Sequence, residues 1–316
     1  MAERLEGGQA GEFPVGSAGG IGKREGSLAV LSLFAGALIW SLLWYPYRLL
    51  RDAGVDGVVS SAVTYAVAFV LGMLFFRRSF SRFSPSWVLL WLALTSGVSN
   101  LGYVLGTLSG DVLRVLLLFY LAPLWTVLFS RLLLGERLSS TGGFIIAMSL
   151  SGAAIMLWHP HIGWPVPRDG ADWLGLVAGV CFALFNVLSR RAAELSIEIK
   201  SMAAFFGVVL VGLLLVLAGF GPRQGQPLIP SSQSVWVLLA AVGCVLLVAN
   251  LISQYGLARV ASNRAIVIML SEVGFAAVAS WLLANEVPAL RDWIGGSMIV
   301  AASLFSARAE RQENFV

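Results

Sequence analysis

Charged residues make up only 12% of this 316-residue chain, against 58% hydrophobic ones. Soluble domains carry roughly 25% charged residues, so a water-soluble enzyme of this size is excluded. Cysteine is nearly absent: Cys181 and Cys244 both lie in apolar runs, which leaves no disulfide framework and no multi-cysteine metal cage. The two lysines, Lys23 and Lys200, stand outside any GxxxxGK[ST] phosphate loop, so this chain does not bind ATP by that device, and nothing in it points to an ATP-binding subunit. The two histidines, His159 and His161, fall together in a connecting segment. Two ligands do not make a metal site, and neither histidine is placed to serve as the base of an intramembrane protease. The sequence calls for no cofactor and no nucleic-acid partner.

What the chain has in abundance is long apolar runs. Ten are separated by charge and Gly/Pro clusters, at about 27–49, 57–76, 86–107, 111–134, 138–158, 171–192, 200–220, 234–257, 263–284 and 290–307. Ten helices of about 20 residues, each enough to cross a bilayer, fit this length with short connections. The expected fold is an all-α polytopic membrane protein with the lipid bilayer as its permanent partner. Residues 1–26 are Gly-rich, polar and free of an apolar core, so they read as a disordered cytoplasmic tail and not a signal peptide. Residues 308–316 read as a second tail, and the prolines of 159–170 and 221–233 argue against helix continuation there.

Lys and Arg set the orientation. The two tails and the connections after runs 2, 4, 6 and 8 hold Arg4, Lys23, Arg24, Arg77, Arg78, Arg82, Arg131, Arg137, Arg190, Arg191, Lys200, Arg259, Arg264, Arg308 and Arg311. The opposite side holds Arg48, Arg51, Arg114, Arg168, Arg223 and Arg291. Fifteen against six, out of 21, predicts that both termini are cytoplasmic.

Displacing the sequence on itself by 150 positions superposes Asn100-Leu101 on Asn250-Leu251, Gly106 on Gly256, Arg114 on Arg264, Ser130 on Ser280, Leu132-Leu133 on Leu282-Leu283, and Glu136 on Glu286. Earlier in each half the displacement is 143, with Ala35-Gly36 on Ala178-Gly179. Scarce polar residues repeating at one offset predict two halves, 27–158 and 171–307, joined by the linker 159–170. Five spans per half is an odd number, so the second half must be inverted. That is an architecture of secondary transporters working by alternating access.

Ten spans as five plus five, a cytoplasmic N-terminus, Leu121-Ala122-Pro123 in span 4 and Leu134-Gly135-Glu136-Arg137-Leu138 at its end resemble the drug/metabolite transporter superfamily with paired EamA-type domains, over about residues 28–306. Within it the chain is most similar to the YddG branch, exporters of aromatic and other amino acids. The second half departs from the pattern, with Val273 for the expected proline and Asn285-Glu286 for Gly-Glu. The resemblance implies a multi-pass protein of the bacterial cytoplasmic membrane that exports small amphiphilic metabolites, aromatic and other neutral amino acids among them.

Polar groups deep in the spans are the candidate site residues, because desolvated polar side chains are costly and tend to face an interior cavity. Glu272, about ten residues into span 9, is the one acid near mid-membrane. It is a candidate proton-coupling group, or a carboxyl held by neighbours to fix helix packing. Asn100 and Asn250, with Gln254 one turn beyond, either meet a substrate's charged groups or bond helices together. Arg114 and Arg264 are expected to snorkel to the interface. Trp40, Trp44 and Tyr47 recur at i, i+4 and i+7, one helical face of span 1. With Tyr103, Tyr120, Phe182 and Phe185 they form a candidate aromatic cavity suited to planar or bulky substrates, or an ordinary packing stripe. Phe119 and Trp125 add to the aromatic content of span 4.

Pro46 and Pro123 are candidate bends. Small residues at Gly143-Ala147-Ser151 and Ser297-Ala301 predict that spans 5 and 10 form a scaffold outside the cavity and pack on each other. Glu136 and Glu286 read as helix-start residues. The competing class is a channel, which would line its path with a ring of like charges or carbonyls; here the deep polar residues are few and dispersed.

Overall fold

The computed structural model describes residues 18–78, 85–135, 140–157, 167–192, 194–222, 227–257, 259, 268, 271–285 and 287–313. Expectations for Arg264, Glu136, Glu286, His159 and His161 lie outside them. The described residues are helical, without strands: α1 (Ala18–Leu42), α2 (Trp44–Asp52), α3 (Gly57–Phe75), α4 (Trp87–Ser109), α5 (Val112–Phe119), α6 (Ala122–Leu134), α7 (Ser140–Leu157), α8 (Gly170–Arg191), α9 (Ile197–Leu217), α10 (Gln233–Leu257), α11 (Ser271–Ala284) and α12 (Leu290–Glu313). Seven stretches among them are long and apolar enough to cross a membrane, and Gly274–Ala284 is a shorter apolar helix. α1 begins at Ala18, ahead of the first apolar run.

Helix starts follow local chemistry. Asp56, Ser86, Asp111, Asp169 and Ser196 each accept a hydrogen bond from a backbone N–H of the first turn that follows, which satisfies donors that a helix leaves open. Two of the apolar runs are broken. The first divides at Leu43, three residues before Pro46, and the fourth at Tyr120–Leu121, just before Pro123. Proline cannot donate to the carbonyl four residues back, and both breaks sit where that bond is lost. α6 ends at Gly135, whose φ of 72° is left-handed, and α11 ends at Asn285 with φ 55°. Asn is the residue after Gly that best tolerates this cap, so the departure noted at 285 keeps the conformation while changing the side chain.

The centre of the bundle is a chain of helix pairs: α4 packs on α8 and α9, α3 on α9 and α10, and α1 on α10 and α11. α5 and α6 lie against α8, and α7 pairs with α12 at one side. In lipid there is little hydrophobic drive between helices, so close backbone approach carries the contact. A Cβ on Gly207 of α9 would collide with the Ala93 backbone of α4, and one on Gly97 with Gly207 itself.

The α7–α12 pairing agrees with the scaffold expectation, but different residues make it. Gly143 opens onto empty space, and Ala147, Ser151 and Ser297 are exposed. Gly152 is the contact, with the Gly295 carbonyl 2.7 Å from where its Cβ would stand and Met298 and Ile299 alongside. The small-residue row occupies the next face of the helix, and spacing alone does not tell one face from the other.

Gly207→Val should split α4 from α9 and cost about 1–3 kcal/mol by overpacking. Thermal unfolding in detergent should show a lowered midpoint, whereas Gly143→Val should leave it unchanged.

Candidate functional site

The broken helices bring aromatic residues to one place. Trp44, fully buried at the start of α2, packs with Val112 and Leu116 of α5 and Ala276 and Ala279 of α11, and Tyr45, Tyr103 and Tyr120 close around this cluster. Phe119 lies edge-on to Tyr103 and to Tyr120, with centroids 5.9 and 5.8 Å apart, and meets Phe182 at 5.1 Å. Glu272, in the first turn of α11, faces the Tyr120 hydroxyl and lies in electrostatic range of Tyr103. Glu272 is surrounded by protein yet half-buried by accessible surface, as expected of a side chain lining an internal cavity. Among the described residues the indole N–H groups of Trp44 and Trp125 and the hydroxyl of Tyr103 are buried with no hydrogen-bond partner, while the Tyr120 hydroxyl has Glu272 as its partner. Unpaired buried donors are costly, so those of Trp44, Trp125 and Tyr103 mark this aromatic region as one able to receive acceptor atoms.

Other expected site residues are placed elsewhere. The break at Leu43 divides the expected face of span 1. Trp40 donates to the Ser253 hydroxyl of α10 (3.3 Å) and packs on the α3–α9–α10 core. Tyr47 is fully buried in that core, its hydroxyl 2.7 Å from Thr64 Oγ1. Only Trp44 of the three reaches the aromatic cluster. Phe185 packs with Leu89, Leu92 and Leu188, a cluster that Phe182 does not join.

The two asparagines, alike in sequence position, differ in surroundings. Asn100 accepts from the Tyr65 hydroxyl (2.6 Å) and donates to the Ser96 carbonyl (2.8 Å) and hydroxyl (3.2 Å). At the displacements of 143 and 150 positions Tyr65 and Ser96 fall on Val208 and Leu246, which offer Asn250 nothing. Asn250 and Gln254 are half-buried and, among the described residues, make no side-chain hydrogen bond. Asn100 is thus interhelical glue, while Asn250 keeps its amide available. Glu272 is likewise unrepeated: its counterpart is Ala122.

Arg114 does not snorkel. It is buried at the start of α5 and grips Asp172 of α8 with two bonds, Nη2–Oδ2 at 2.7 Å and Nε–Oδ1 at 3.3 Å. Asp172 also accepts from the Arg168 backbone N–H (2.9 Å). At the same end Arg48 donates to the carbonyls of Thr107 (3.2–3.3 Å) and Gly110 (3.3 Å), Arg51 to that of Leu108, and the Arg48 guanidinium lies 4.9 Å above the Trp44 ring. These arginines satisfy the terminal carbonyls of α4 that the helix itself leaves open. Sequence reasoning missed Asp172 because it stands at a span edge, where an acid reads as solvated. Arg168, outside the spans, has its pKa lowered by burial first and then by Arg114 and Arg291, a sign of how crowded with positive charge this end is. Among the described residues no cluster of His, Cys, Asp and Glu has the form of a metal site.

Asn100→Leu should strip Tyr65 and Ser96 of their partners and cost about 1–3 kcal/mol, whereas Asn250→Leu should leave the thermal midpoint in detergent unchanged.

This geometry has relatives. A solved crystal structure superposes with a TM-score of 0.59, covering 90% of this chain and 97% of its own at 20% identity, which shows a shared fold. The riboflavin transporter of Rhizobium johnstonii is 25% identical over 254 residues, 78% of this chain and 79% of that protein. The chloramphenicol-sensitive protein RarD of Pseudomonas aeruginosa is 24% identical over 231 residues, 69% of this chain and 73% of that one. Residues 170–308, from the start of α8 into α12, match the EamA-like transporter family.

Proposed function

We propose that the chain is a secondary transporter of the drug/metabolite superfamily, with ten spans as two inverted five-helix repeats, that exports small amphiphilic metabolites by alternating access. Aromatic and other neutral amino acids are the proposed substrates, and the bacterial cytoplasmic membrane, with both termini inside, is the proposed location. The carrying observation is Glu272 facing Tyr120 and Tyr103 in an aromatic cluster to which Trp44 also belongs. An ammonium group matches the carboxylate, a substrate carboxylate or carbonyl matches the indole and phenol donors, and the Trp44–Phe119–Phe182 surfaces take up an apolar side chain.

The packing supports the repeat. Under the offsets 143 and 150, α4–α8 maps onto α10–α1, α4–α9 onto α10–α3, and α6–α8 onto α11–α1, while α3–α9 and α7–α12 map onto themselves; all of these pairs are in contact. The close approach of Gly207 to Ala93 has its image in Gly243, whose Cβ would stand 2.8 Å from the Thr64 carbonyl. Two like halves can exchange the face to which the centre opens.

Counterflow of radiolabelled amino acids in proteoliposomes, with and without a pH gradient, tests the assignment. Trp44→Ala should weaken exchange of aromatic substrates more than of small ones, whereas Trp40→Ala should lower stability without changing preference; equal losses for every substrate from Trp44→Ala would remove it from recognition. Glu272→Gln should retain exchange while losing pH-driven accumulation if Glu272 couples transport to protons. PH-driven accumulation equal to wild type would leave Glu272 a structural residue. A second reading, a non-amino-acid metabolite, is favoured by the excess of donors over acceptors in the site, which suits an acceptor-rich planar ring. Riboflavin competing with counterflow better than tryptophan would select it.

A further inference from the structure

One end of the molecule carries more charge partners than a static clasp needs. Around the Arg114–Asp172 pair stand Arg168, Arg291, Asp111 and Asp292. Asp111 is engaged as the cap of α5, accepting from the Arg114 backbone N–H (3.0 Å). Asp292, in the first turn of α12, accepts from the Ala289 N–H through Oδ2 (3.0 Å), while its Oδ1 is buried and, among the described residues, has no hydrogen-bond partner. Asp292 lies in electrostatic range of Arg114, as it does of Arg291. α12 touches α5, so Arg114 has two carboxylates in its field: one on α8 that it holds by two bonds, and one on α12 with an open acceptor.

The helix that carries Arg114 is short and bounded at both ends. α5 has eight residues, starts at its own cap and ends at the Tyr120–Leu121 break. Its inward residues seal the aromatic site. Val112 and Leu116 pack on Trp44, Ala276 and Ala279, and Val115 backs onto Gly175 of α8. Its far end delivers Phe119 and Tyr120 to Phe182 and Glu272. A shift of Arg114 from α8 toward α12 would carry the seal and the Tyr120 hydroxyl with it.

We propose that Arg114 is the gate residue of this end: paired with Asp172 it closes the path to the Trp44–Tyr120–Glu272 site, and paired with Asp292 it holds that path open. A buried guanidinium cannot be left without a carboxylate at low cost, and a second carboxylate removes that cost from the open state. Two discrete pairings make the element bistable, as a gate requires. The gate rests on the transport reading for what passes through it, but its geometry is independent of the substrate.

The test reads access and not transport. Ala276→Cys, in a chain with Cys181 and Cys244 replaced by Ser, places a reporter thiol beside Trp44. It is labelled without substrate by a membrane-impermeant maleimide, in right-side-out and in inverted vesicles. From the face to which this end opens, Asp172→Asn should raise the labelling rate about tenfold, the effect of a modest population shift toward the open state. Asp292→Asn should lower it below the parent rate, and the exchanged pair Arg114→Asp/Asp172→Arg should return it toward the parent. An unchanged rate in Asp172→Asn, or equal increases in Asp172→Asn and Asp292→Asn, would reduce the pair to a static clamp and overturn the proposal. If Asp172→Asn does not give monodisperse protein, Arg114→Lys carries the test, because it keeps the charge but loses the two-bond fork. A smaller increase supports the gate, and no increase overturns it. Labelling that responds as expected in a chain without counterflow would retain the gate and discard the transport reading; counterflow with unresponsive labelling would do the reverse.

Discussion

The contact on which the rest of the molecule depends is the meeting of backbones at Gly207 and Ala93, with Gly97 beside them. Water does not press helices together inside a bilayer, so van der Waals contact must do so. Contact of that quality needs two backbones at a distance no side chain permits. From this crossing α4 reaches α8 and α9 reaches α3, and through α3 the assembly extends to α10 and α1. The aromatic site then forms where the two broken helices, α1–α2 and α5–α6, cannot continue this regular packing.

Much of the fold was legible because lipid imposes one rule on every span. A run of about 20 apolar residues has to be helical, since no other local structure satisfies its own backbone there. Helix breaks were legible too, because proline acts on a bond within its own segment, and Pro46 and Pro123 both stand at one. Which face of a helix meets a neighbour is a different kind of information. The rows at Gly143 and Ser297 have the spacing of a contact, and yet Gly152 and Gly295 make it. Small residues are abundant on several faces of α7 and α12, and only the shape of the partner chooses between them.

The site was legible residue by residue but not as a set. Trp44, Tyr103, Tyr120, Phe182 and Glu272 are together, as their depth suggested. Trp40 and Tyr47 left the set because both pack on the core that α3, α9 and α10 share, whereas Trp44 faces α5 and α11. Arg114 was read as a lone cation since its partner, Asp172, lies 58 positions away on another helix. Asn100 and Asn250 looked equivalent, and a phenol on α3 and a hydroxyl one turn away on α4 set Asn100 apart.

That inequality bears on how such a chain can arise. A pair of identical half-length polypeptides, inserted in opposite directions, would place the same residue at both related positions. Two copies of the first half would carry alanine where Glu272 stands, and both asparagines would be locked by tyrosine and serine. Two copies of the second half would carry the acid twice, face to face, with no Tyr120. The chain has one acid, one open amide and one locked amide at these positions, and two halves of identical sequence could not supply them.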